Sequence, residues 1–145
     1  MPDNIPTTAD ATLDRAYEEA MEMLIDARDF AKEQREASSQ LESDQRLRLS
    51  QYTMQVTARL TQIMAWLMAN KAVATGELPP ETLADDTYAL PETGSIAGED
   101  AEWLEKEQAD RDIIPDRLSN LMDRSRALYQ RISRLDQQAR KAGEV

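Results

Sequence analysis

The run LTQIMAWLMANKAV, Leu60 to Val73, places apolar side chains on nearly every side of a helical wheel. Its 14 residues are too few for a bilayer-spanning helix, which takes about 20. Arg59 stands just before it and Lys71 lies inside it. Protein, not lipid, must therefore cover this segment. The surrounding pattern reads as one long helix from about Gln40 to Thr75, roughly 50 Å at 1.5 Å per residue. Leu49, Tyr52, Val56, Leu60, Ile63, Leu67 and Ala74 form one stripe of it. Leu47, Met54, Met64, Ala65, Met68 and Ala72 form a second, and Trp66 and Val73 occupy a third sector. A helix apolar all round must be covered all round. Two further helices from a short chain leave part of it bare, so a homodimer is expected. Met54, Met64, Ala65, Met68 and Ala72 are its expected interface.

Two other segments carry helical spacing. Leu13, Tyr17, Ala20, Met21, Leu24, Ala27, Arg28 and Ala31 recur three and four residues apart, which predicts a helix from Asp10 to about Ala37. Ser39 to Glu42 has the S-x-x-E form of a capping box for the next helix, and Gly76 suits the left-handed turn at its end. Pro115 opens the last helix, with a core stripe of Leu118, Leu121, Met122, Ser125, Leu128, Tyr129, Ile132 and Leu135. The fold expected is all-α: a homodimeric three-helix bundle over residues 10–140, with residues 1–9 disordered and 141–145 flexible.

The charge is unevenly placed. Residues 77–112 hold 12 acidic and 2 basic side chains, against 12 and 8 in residues 1–76 and 4 and 7 in residues 113–145. Pro79, Pro80, Pro91, Gly94 and Gly98 fall within or beside this acidic stretch, marking it as a connector before the last helix. Arg117, Arg124, Arg126, Arg131, Arg134 and Arg140 mostly line the outside of that helix. The acidic connector and first helix are their nearest prospective partners.

Chemistry is sparse. The chain has no His and no Cys, which removes the commonest general base, the thiol nucleophile and the usual transition-metal ligands. Neither a nucleophilic triad nor a Glu-x-x-His di-iron site can be built. Glu18 and Glu22, one turn apart, read as a solvated face because no matching carboxylate helix is evident. No EF-hand or phosphate-binding loop is present. No catalytic residue, metal or cofactor is assigned, and the chain is read as a non-enzyme. A net charge of −11 disfavours nucleic acid and anionic membranes as partners. The start, MPDNIPTTAD, lacks the pattern of a secretory signal, so a cytoplasmic protein is expected.

In the connector, Leu90 to Gly94 spells LPETG, a sortase motif, but with acidic residues after it and no signal before it the match is read as chance. Tyr88, Leu90, Trp103 and Leu104 are apolar residues in an acidic background, and Gly98 to Asp112 has the makings of a short helix presenting Trp103 and Leu104. Two readings stand at this point. These side chains form a docking element for another protein, or they cover the methionine face of the long helix.

Three blocks carry a resemblance: YEEAMEMLIDARDF (Tyr17–Phe30), RLTQIMAWLMANKAVATGEL (Arg59–Leu78) and SRALYQRISRLDQ (Ser125–Gln137). They resemble the alphaproteobacterial regulator of CtrA degradation family, first described only as a domain of unknown function. The resemblance implies a dimeric three-helix proteolytic adaptor. It would bind a response-regulator-like adaptor docked on the ClpXP protease and bring it cargo, including CtrA and other transcription factors. It also suggests transient recruitment to a cell pole. The alternative is a structural dimerisation module with no recruiting role.

Overall fold

The computed structural model describes residues 8–37, 41–84, 86–90 and 99–143. Among these are four helices and no strand: α1 (Thr8–Ala37), α2 (Ser43–Ala74), α3 (Ala101–Ala109) and α4 (Asp116–Gly143). Two short 3₁₀ turns, Pro80–Ala84 and Asp86–Tyr88, follow α2. The first and last helices are longer than expected, since Thr8 and Ala9 are already helical and α4 continues through Lys141 to Gly143. Residues 1–7 and 144–145 lie outside the described residues.

The core is built from lines of side chains three and four residues apart. On α2, Leu49, Tyr52, Val56, Leu60, Ile63 and Leu67 are all buried, as the spacing predicts, whereas Ala74 is exposed. On α4 the stripe from Leu118 to Ile132 is buried, with Leu135 partly so. On α1 the predicted face is rotated. The buried line is Ala16, Ala20, Met23, Ala27 and Phe30, with Leu13, Tyr17, Met21 and Leu24 on its flanks and Arg28 in solvent. Ala20 and Ala27 are shared by both lines, so spacing alone leaves the centre of the stripe unfixed.

Helix ends follow local chemistry. Gly76 takes φ +81°, and the Glu77 and Gly76 amides donate to the Ala72 and Val73 carbonyls at 2.8 and 3.1 Å. This Schellman closure ends α2 where a residue without Cβ permits it. At its start, α2 begins at Ser43, and its N-cap Glu42 makes no side-chain capping bond; Ser39 and Gln40 lie outside the described residues. Pro115 sits one position before the predicted one, since its carbonyl accepts from Ser119 N at 2.9 Å and α4 proper starts at Asp116.

Side-chain pairs fix the helix directions. Arg59 meets Ser125 at 2.8 Å and Trp66 meets Asp136 at 2.9 Å, so α2 and α4 run parallel. Lys71 pairs with Asp14 at 3.0 Å, Arg117 with Asp26 at 2.6 Å, and Arg131 with Glu19 at 2.8 Å, so α1 runs antiparallel to both. Each of the three long helices touches the other two. A parallel pair requires the chain to return along the 32 residues of α2, about 48 Å by helix rise. That return accounts for the long connector.

Candidate functional site

Chemistry first gathers beneath the connector. Arg59 is 1% exposed, although it stands in a helix among apolar neighbours. Its guanidinium donates to Ser125 Oγ on α4 and to the Glu99 carboxylate just before α3. Burial pulls the Arg59 pKa down, opposed by Glu99. Arg126 grips Glu107 of α3 through two parallel bonds of 3.0 and 2.9 Å and approaches Glu99 at 3.5 Å. Burial works to raise the Glu107 pKa, but its bonds to Arg126 and the nearby charges of Arg126 and Arg111 outweigh it and hold the carboxyl below the usual range. Tyr129, also buried, is pushed up to about 12 by its surroundings.

Two further ties secure the same element. Tyr52 Oη donates to Asp110 Oδ2 at 2.5 Å, and Arg48 reaches the other oxygen at 2.9 Å. Burial foremost, then this bond, holds the phenol protonated. Trp103 packs edge-on to the Tyr52 ring with centroids 5.6 Å apart, and Asp100 caps α3 by accepting from Trp103 N at 2.8 Å. On the far side, Asp136 accepts from Trp66 Nε1, from Leu90 N at 3.3 Å and from Arg140 Nε at 3.1 Å. The network is a clamp: groups on α2 and α4 hold the returning chain by its carboxylates and by one backbone amide.

This geometry divides the candidate loop residues. Leu90 is buried in the core, Trp103 is packed against it, and Tyr88 is half-buried. Leu104 alone of the four is well exposed, at 43%. The described part of the connector covers the Tyr52–Arg59 side of α2, not its methionine side. Residues 91–98, which include all of LPETG except Leu90, lie outside the described residues.

The methionine side stays open among the described residues. Leu47, Met54 and Met68 are 59%, 69% and 59% exposed. Gln51, Ala58, Thr61 and Ala65 are exposed between them, and Ala72 is partly buried. Residues 47, 51, 54, 58, 61, 65, 68 and 72 alternate four and three apart, the repeat of a helix-pairing seam. Small residues occupy its middle, and Thr61 turns its hydroxyl back to the Thr57 carbonyl at 2.8 Å, leaving no unmet donor toward a neighbour. Met64 lies a quarter-turn away and is 9% exposed within the monomer core. Sequence reasoning grouped it with this face because periodicity does not show where one apolar sector ends.

No group of three or more Asp, Glu, His or Cys among the described residues is arranged to hold a metal ion. No helix among the described residues is long and apolar enough to cross a membrane.

A family model described as "Protein of unknown function (DUF1465)" matches residues 6–145. No curated protein matches the chain. Among solved structures, the chain is similar to the crystal structure of RcdA from Caulobacter crescentus CB15. The two are 29% identical with a TM-score of 0.62, covering 87% of this chain and 88% of that one. These findings bear out the resemblance carried by the three sequence blocks. Those blocks meet in space: Arg59 and Trp66 of one bind Ser125 and Asp136 of another.

Proposed function

The chain belongs to the DUF1465 family, and from that premise we propose that it is a non-enzymatic proteolytic adaptor. In this reading it pairs with a second copy, binds a response-regulator-like adaptor docked on ClpXP, and carries cell-cycle transcription factors such as CtrA to the protease. It acts in the cytoplasm, with transient recruitment to a cell pole, and binds neither nucleic acid nor membrane. The observation that carries the reading is the likeness to RcdA along nearly the whole chain. The mechanism is tethering: a bound cargo sees the unfoldase at a raised effective concentration, with no bond made or broken by the adaptor.

Geometry supports two working faces. The α2 seam suits a second copy of the three-helix bundle, and the outer side of α3, with Leu104 between Glu102 and Glu105, suits a partner. The test is cargo turnover by purified ClpXP with its response-regulator-like adaptor, with and without this protein. Faster loss of CtrA on addition supports the reading, and an unchanged rate ends it.

One observation favours the second reading, a dimerisation module with no recruiting role. Leu90 and Trp103 are spent on internal packing, so most of the connector's apolar surface already has a use. The turnover assay separates the two, since a module with no recruiting role leaves the rate unchanged. Leu104→Glu then locates the surface: it leaves the core untouched, so a folded variant with full delivery removes α3 from the working surface.

A further inference from the structure

A groove of about 440 Å³ runs between the first turns of α1 and the last turns of α4. Its floor is apolar, made by Ala16, Leu128, Ile132 and Leu135, of which the first three are buried. Its rim is cationic, carrying Arg15, Arg131 and Arg134. Arg131 is engaged by Glu19 at 2.8 Å. Arg15 and Arg134 are exposed and have no ion-pair partner among the described residues. This is unusual company in a chain with 28 acidic and 17 basic residues, where most arginines of α4 have found carboxylates.

We infer that this groove binds a short acidic segment of a partner protein, one that places aliphatic side chains on the floor and carboxylates against Arg15 and Arg134. The floor accounts for the aliphatic part, as in other grooves that take an amphipathic segment between helices. The guanidinium groups of Arg15 and Arg134, without ion-pair partners among the described residues, account for the acidic part, since Arg forms two-pronged bonds with carboxylates. A polyanion without apolar groups fits less well: it would leave the floor uncovered and meet the field of a chain with net charge −11. The inference goes beyond the adaptor reading and stands without it, because its test is direct binding.

The probe is a fluorescein-labelled peptide of about a dozen residues in which Leu and Ile are interspersed with Asp and Glu, followed by anisotropy against the full chain. Expected is saturable binding on the order of micromolar, lost in a matched peptide with Lys for each acid. R15E/R134E, both at exposed positions, keeps its helical circular dichroism and binds roughly tenfold or more weakly. No saturable binding, or equal affinity in R15E/R134E, overturns the inference. So does a drop in the molar mass of that variant, which assigns the groove to a second copy of the chain. Tighter binding of a labelled single-stranded RNA than of the peptide overturns it as well.

Discussion

Arg59 and Glu99 set the terms at the residue scale. A buried ion pair adds little over a well-packed apolar pair, but removing one partner strands the other charge, at about 3–5 kcal/mol. Glu99→Ala should therefore lower the melting temperature by roughly 6–20 °C, read by circular dichroism. Arg59→Met with Glu99→Leu should recover most of that loss, and a double variant as unstable as the single would show that the cost lies elsewhere. Glu107 makes the pH prediction. Its native pKa is depressed below the ordinary value of 4.5, so its contribution to stability is fully present above that value. It is lost as pH falls from there through the native pKa. Urea midpoints measured from neutral pH downward should show this fall, and Glu107→Gln should show less of it. Little of this clamp is legible in the sequence. Arg59 and Glu99 are 40 residues apart, and local spacing does not connect a lone Arg in a greasy helix with a Glu in an acidic connector. The available signals were Ser125, a polar residue inside a core stripe, and Arg59 beside Leu60 on the buried line of α2.

Elements are better written into local pattern. The buried lines of α2 and α4 follow from spacing alone, and so does the stop at Gly76. That stop gives a clean test. Nothing lies within 4 Å of a Cβ added at Gly76, so Gly76→Ala meets no clash and costs only the left-handed backbone, about 1 kcal/mol. A urea midpoint unchanged by the substitution would mean that the Schellman turn adds nothing to stability. The α1 stripe was misplaced because small and large apolar residues share two adjoining faces, and only the positions of α2 and α4 decide which is inside. Helix direction was not legible at all: α2 and α4 run parallel because of pairings such as Trp66 with Asp136, which no local signal reveals. From that direction the connector's length follows. The connector's helix, α3, is legible in the sequence as a short helix presenting Trp103 and Leu104, whereas its seating over Tyr52 and Arg59 depends on partners far along the chain. Cutting the connector away would thus remove Leu90, Glu99, Glu107 and Asp110 from the fold. Leu104→Glu is the sharper probe of α3, with stability expected within about 0.5 kcal/mol of the parent because the side chain is on the surface.

For the whole molecule, the open seam on α2 is the feature that the single chain leaves unresolved. Large apolar side chains at 59%, 69% and 59% exposure, in one line with a seven-residue repeat and small residues between them, are suited to the same line on another copy. A two-fold axis would set such a surface against itself and close the assembly at two. Light scattering at micromolar concentration should then give about twice 16.4 kDa. If the pairing uses this seam, M54E/M68E should give a folded single chain, because both positions are already solvated within the subunit and the added charges disfavour only the pairing. Met64→Glu should behave differently. That side chain is part of the subunit core, so an unpaired carboxylate there must be neutralised or unfold the chain, and helical signal falls along with mass. The contrast separates an interface from a core on one helix. The unfolding midpoint of the parent should also rise with protein concentration, and that of M54E/M68E should not, since only the parent gains stability by mass action. A parent that scatters as one subunit and melts at the same temperature at every concentration would leave the seam open in solution, and with it no second copy to pair the docking faces of the proposed adaptor.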